Sequence, residues 1–98
     1  MASPLTSVLF GARISAKTVR IVDLAGAGLE AFPPSLANCT NMQELDLARN
    51  SIHTLPDVSR LEKLQRLNLS GNKLAELPPA IGALTALTSL DLGSNALT

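Results

Sequence analysis

A phrase of leucine, asparagine and proline returns every 22 or 23 residues, and that period constrains the fold more than any other property of the chain. Its clearest copy runs Met42, Leu45, Leu47, Asn50, Ile52, Leu55 and Pro56. The same spacing recurs in Leu64, Leu67, Leu69, Asn72, Leu74, Leu77 and Pro78, and begins again in Leu87, Leu90, Leu92, Asn95 and Leu97. A degenerate first copy reads Val19, Val22, Leu24, Ala27, Leu29, Phe32 and Pro33. Starts at 19, 42, 64 and 87 differ by 23, 22 and 23 residues. A fixed period in this range predicts a solenoid, in which each unit buries its apolar face only against its neighbours.

Each copy also predicts its own local structure. Apolar and polar residues alternate around Leu67 and Leu69, as in a short strand with one buried face. Successive copies lay such strands side by side and parallel, because each returns the chain to the same edge. The asparagine then ends the strand. Its side chain can bond a sharply turning backbone and that of the adjacent repeat, so Asn50, Asn72 and Asn95 should form a structural ladder. Pro33-Pro34 and Pro78-Pro79 fix φ and open a helical turn on the far side. Leu36 with Cys39, and Ile81 with Leu84, would pack that turn downward at i, i+3 spacing. The second repeat is one residue shorter, which predicts a tighter 3₁₀-like segment after Pro56. Ala27 stands where the first repeat would carry its asparagine, and no earlier repeat is there to need the bond.

Residues 19 to 98 resemble the leucine-rich repeat family, in its short intracellular form with a Leu-Pro step after the asparagine. The resemblance implies an α/β solenoid with a short parallel sheet on the concave face, short helices or 3₁₀ turns on the convex face, and an N-terminal helical cap. The repeats would span 19–41, 42–63, 64–86 and an incomplete 87–98. It also implies a non-catalytic, cytoplasmic module, a scaffold or signalling adaptor, that binds a partner protein on the concave sheet and takes no cofactor.

Composition narrows the alternatives. Leucine fills 19 positions, and with no Trp or Tyr the core is expected to be aliphatic. Net charge is zero, so no basic field exists to hold a phosphate backbone, and nucleic-acid binding is not expected. The lone cysteine, Cys39, cannot form an internal disulfide and argues against an extracellular, cysteine-stapled form. No stretch approaches the roughly 20 apolar residues of a membrane span.

Both ends carry open alternatives. Ser3-Pro4 is a suitable helix start, and Leu5, Val8, Leu9, Ala12 and Ala16 share one helical face, which reads as a cap over residues 1–18. The first 22 residues also carry Arg13, Lys17 and Arg20, several Ser and Thr, and no acid before Asp23, as mitochondrial or plastid transit peptides do. That second reading brings an organellar structural subunit into view. At the other end the fourth repeat lacks its convex return, so its leucines should be covered by further repeats or by another chain.

The alternation assigns outward positions on the concave strands. Ile21, Glu44, Arg66 and Ser89 form one row, and Asp23, Asp46, Asn68 and Asp91 the next. Ala25, Ala48, Ser70 and Gly93 should line a small-residue floor, with Arg49 at a strand exit. Glu44 and Arg66 are expected as an ion pair across adjacent strands. These rows, with Arg49, are the candidate partner-binding residues. Two adjacent carboxylates, Asp23 and Asp46, make a poor metal site without His, Cys or a third close oxygen; the family uses acid or amide there for structural reasons. Neither His53 nor Cys39 has a partner placed beside it by the sequence, so neither predicts catalysis. A recognition segment of a larger signalling enzyme, a kinase or ubiquitin ligase, is the remaining alternative.

Overall fold

The computed structural model describes residues 18–97. Four three-residue strands, β1 (Ile21–Asp23), β2 (Glu44–Asp46), β3 (Arg66–Asn68) and β4 (Ser89–Asp91), form one parallel sheet in chain order. Ile21 pairs with Glu44, Glu44 with Arg66, and Arg66 with Ser89. Strand starts at 21, 44, 66 and 89 therefore repeat the 23, 22, 23 spacing of the sequence. The expected cap over residues 1–18 lies, but for Thr18, outside the described residues.

The core sits between this sheet and the convex segments. Val22, Leu45 and Leu67 point inward at the strand centres, and Leu47, Leu69, Ile52 and Leu74 follow them into the same layer. From the convex side Leu36, Cys39, Val58, Leu61 and Leu84 close over it. Short 3₁₀ turns at Pro34–Asn38 and Pro79–Ala83 each follow a proline, whose fixed φ sets the first turn. Leu36 and Cys39 are fully buried beneath the first, while Ile81 is only partly buried beneath the second.

The second repeat takes the tighter form its shorter length suggests. It makes single 3₁₀-type turns and no five-residue run, with Leu61 N–H donating to Val58 O at 3.0 Å and Leu64 N–H to Leu61 O at 3.2 Å. Having one residue fewer and no Pro-Pro pair, it spans the gap without a continuous helical run. Val58 and Leu61 still reach the core, so the shortening is absorbed on the convex side and the strand register is untouched.

The asparagines join neighbouring repeats. Asn72 accepts from Ile52 N–H at 3.1 Å and donates to Leu47 O and Leu69 O, each at 2.9 Å. Asn50 accepts from Leu29 N–H at 2.9 Å and donates to Leu24 O at 3.1 Å, serving the first repeat from the second. Asn95 does the same for the third repeat, through Leu74 N–H and Leu69 O. Each side chain thus satisfies groups of the preceding turn as well as its own, which a buried backbone requires. A second set of bonds runs down the flank, from Ser51 N–H to Leu29 O, Lys73 N–H to Ile52 O, and Ala96 N–H to Leu74 O.

Just before each asparagine position the chain turns through a left-handed residue: Gly26, Arg49, Gly71 and Ser94, with φ between 56 and 69°. At Gly71 an added Cβ would lie 3.3 Å from the Arg49 backbone nitrogen, besides meeting an unfavourable φ. Gly71→Ala should therefore destabilise the fold by about 1–2 kcal/mol, the usual left-handed cost for a residue with a Cβ. Arg49→Gly relieves that cost and adds back about 0.5–1 kcal/mol of glycine entropy, so its urea midpoint should hold or rise. A drop for Arg49→Gly as large as that for Gly71→Ala would contradict this account.

Candidate functional site

The strands hold two rows of side chains on the concave surface because residues i and i+2 of a strand share a face. Ile21, Glu44, Arg66 and Ser89 form the first row, and Asp23, Asp46, Asn68 and Asp91 the second. Between and beside them lies an open trough of about 380 Å³, lined by both rows together with Val22, Leu45 and Leu67.

Eight of the nine candidate positions come together in this trough, and Arg49 does not. Arg49 occupies the left-handed strand exit, exposed and outside the lining residues. The small-residue floor is a correction. Ala25, Ala48, Ser70 and Gly93 do not line the trough, and Ala48 is buried, with 1% of its surface exposed. At Ala48 the chain has already turned inward, so alternation read one residue too far misplaces it, while Ala25 and Ser70 are half-buried and Gly93 is exposed.

The second row performs a task that alternation alone does not reveal. Asp23 Oδ1 accepts from Ala25 N–H at 3.1 Å, Asp46 Oδ1 from Ala48 N–H at 3.0 Å, and Asp91 Oδ1 from Gly93 N–H at 2.9 Å. Asn68 Oδ1 accepts from Ser70 N–H at 3.0 Å and also from the Ser70 hydroxyl at 2.7 Å. All four side chains close a turn two residues on, as Asp and Asn commonly do. The readable signal was the Asp/Asn restriction itself, since only these two types combine that reach with that oxygen.

In the first row Arg66 and Glu44 form an ion pair at 3.4 Å. Both are exposed enough that the pair is worth no more than about 1 kcal/mol. Ile21 stands out beside them with 68% of its surface exposed.

The remaining chemistry-bearing side chains lie elsewhere. Cys39 is buried in the first convex turn, and burial pushes its thiol pKa up, away from the reactive thiolate. His53 is exposed on the flank, in a small hollow with Thr54 and Glu76. Asp57 closes the turn after the second repeat's proline, and hydrogen bonds from Ser59 hold its carboxyl below the usual range. Among the described residues no three His, Cys, Asp or Glu side chains converge as metal ligands, and no helix is long and apolar enough to cross a membrane.

A parallel sheet built one strand per repeat, with a ladder of asparagines behind it and 3₁₀ turns opposite, defines a class of solenoid. Models of the leucine rich repeat match residues 17–74, and of paired leucine rich repeats residues 62–98. The chain belongs to the leucine-rich repeat family. It is 35% identical over 79 residues to the volume-regulated anion channel subunit LRRC8D of Rattus norvegicus, a match covering 78% of this chain and 9% of that protein. It is 38% identical over 55 residues to a protein phosphatase 1 regulatory subunit SDS22 homolog of Caenorhabditis elegans, covering 56% of this chain and 17% of that protein. A solved leucine-rich repeat protein of Leptospira interrogans superposes with a TM-score of 0.77 at 35% identity, over 99% of this chain and 24% of its own. The chain thus spans a quarter or less of each of these proteins.

Proposed function

We propose that the chain is a non-catalytic protein-interaction module that holds a partner protein against its concave sheet, as a scaffold or signalling adaptor inside the cell. The observation that carries this reading is the trough itself: two complete rows of side chains, four strands wide, presented on a rigid backbone. Side chains held by strands keep their positions as a partner docks, which lowers the entropy lost on binding. Family membership supports the same reading, and one relative is by name a regulatory subunit of a phosphatase. A second reading makes the chain a recognition segment of a larger signalling enzyme. It is favoured by the small fraction of each relative that the chain spans.

Exchanging charges across the ion pair, Glu44→Arg with Arg66→Glu, tests the concave assignment. The pair can re-form, so the urea midpoint should hold while the local charge pattern reverses. Partner association should slow by about tenfold, since charged surface residues act mainly on the on-rate. Glu62→Ala and Lys63→Ala on the convex side should leave it unchanged. Loss of binding through the convex pair alone would overturn the assignment.

A further inference from the structure

Charge is distributed unevenly around this solenoid, and the imbalance narrows the concave reading on which the following inference rests. The whole chain is neutral, with eight acids and eight bases. Its trough is lined by Asp23, Glu44, Asp46 and Asp91 against a single base, Arg66. Glu44 already answers Arg66 at 3.4 Å. Asp23, Asp46 and Asp91 have no cationic partner among the described residues. Strand pairing sets these three in one line across the sheet, interrupted only by Asn68. Each closes its turn through Oδ1, and among the described residues no hydrogen bond engages the second oxygen.

The turn bonds do not account for the charge. Asn68 holds the same row position and makes the same bond to the backbone two residues on, with no charge at all. An amide therefore suffices for the fold, and the three carboxylates add a negative potential that the fold does not use. Asp23 and Asp46 stand about one strand width, 4.8 Å, apart, with Asp91 two strands beyond Asp46, and a concave surface focuses the field they produce. At the β1 end of the trough Ile21 adds an apolar contact, two-thirds exposed and bordered by Asp23 and Glu44.

We infer that the trough receives a cationic segment of another protein, one that carries lysines or arginines along the aspartate row and sets an apolar side chain against Ile21. An anionic partner, whether nucleic acid or acidic peptide, meets three uncompensated carboxylates and is repelled. A free polyamine offers the same charge without the apolar contact, so Ile21 separates the two.

The test titrates the whole chain, followed by backbone amide shifts, with a lysine-rich peptide carrying one leucine, its glutamate counterpart, and spermine. The lysine peptide should shift β1 to β4 and weaken with added salt; the glutamate peptide should not bind. Asp23→Asn, Asp46→Asn and Asp91→Asn together should weaken the lysine peptide by about tenfold, with the urea midpoint held by the amide turn bonds. If the triple variant unfolds, Asp91→Asn alone, at an exposed position, carries the comparison. Ile21→Ser should weaken the peptide and leave spermine unaffected. Unchanged affinity in the Asp→Asn variants, equal binding of the glutamate peptide, an unaffected peptide in Ile21→Ser, or no shift with the lysine peptide each overturns the inference. Concave shifts from the glutamate peptide would leave the concave reading standing and remove only its cationic part. Shifts confined to the convex side, near Glu62 and Lys63, would remove the concave reading itself.

Discussion

Replacing Asn72 with alanine should destabilise the fold by about 2–4 kcal/mol, since each buried polar group left unpaired costs roughly 1–3 kcal/mol. Asn72 is buried, and its loss strips Ile52 N–H of its acceptor and the carbonyls of Leu47 and Leu69 of a donor. Neighbouring ladder members frame the comparison. Asn95→Ala should cost less, because Asn95 is only partly buried and water can reach the groups it leaves. Asn68→Ala removes a half-exposed turn bond, worth about 0.5–1.5 kcal/mol, and Asn68→Asp should be close to neutral because aspartate fills that position in the other three strands. Urea midpoints of the four variants should fall in that order. Equal losses at Asn72 and Asn68 would mean the ladder does not join the repeats.

Leu69→Ala should be comparably damaging, about 2–5 kcal/mol, the range for emptying a fully buried leucine site. Leu69 has no exposed surface, and its equivalent Leu47 is buried just as completely. One repeat further on the environment changes. Leu92 is only partly buried, and Leu90 is 37% exposed where its counterparts Leu45 and Leu67 are 2% and 4% exposed. Leu90→Ala should therefore cost well under half of what Leu67→Ala costs. Amide exchange should run the same way, slow around Leu45, Leu47, Leu67 and Leu69 and fast beyond Leu87. Uniform protection as far as Leu97 in a dilute sample would contradict the burial gradient.

Much of this architecture is legible in the sequence. The 22- and 23-residue steps gave strand order, parallel direction and register, because a period-2 alternation inside a longer period leaves one way to align the strands. The Pro-Pro pairs marked both 3₁₀ turns. Other features escaped for identifiable reasons. Arg49 and Ser94 take a left-handed backbone that glycine announces at Gly26 and Gly71, but an arginine or serine does not. Ala48 looked outward by alternation, and only the turn closed by Asp46 carries it inside. In the trough the rows were readable, and the turn bonds of Asp23, Asp46 and Asp91 had only the row's Asp/Asn restriction to signal them, since a single exposed aspartate looks alike whether it caps a turn or meets solvent.

The bonds that join one repeat to the next have a mechanical meaning. Strand bonds, asparagine bridges and flank bonds all cross the same boundaries and run broadly along the solenoid axis, perpendicular to the strands. A pull on the two ends therefore loads these boundaries in series, so that they peel one after another and do not shear together. Tension would lengthen the chain in discrete increments of one repeat, beginning at the thinly covered β4 side. In such an arrangement the molecule yields repeat by repeat, and the boundaries bridged by the buried Asn50 and Asn72 hold longest.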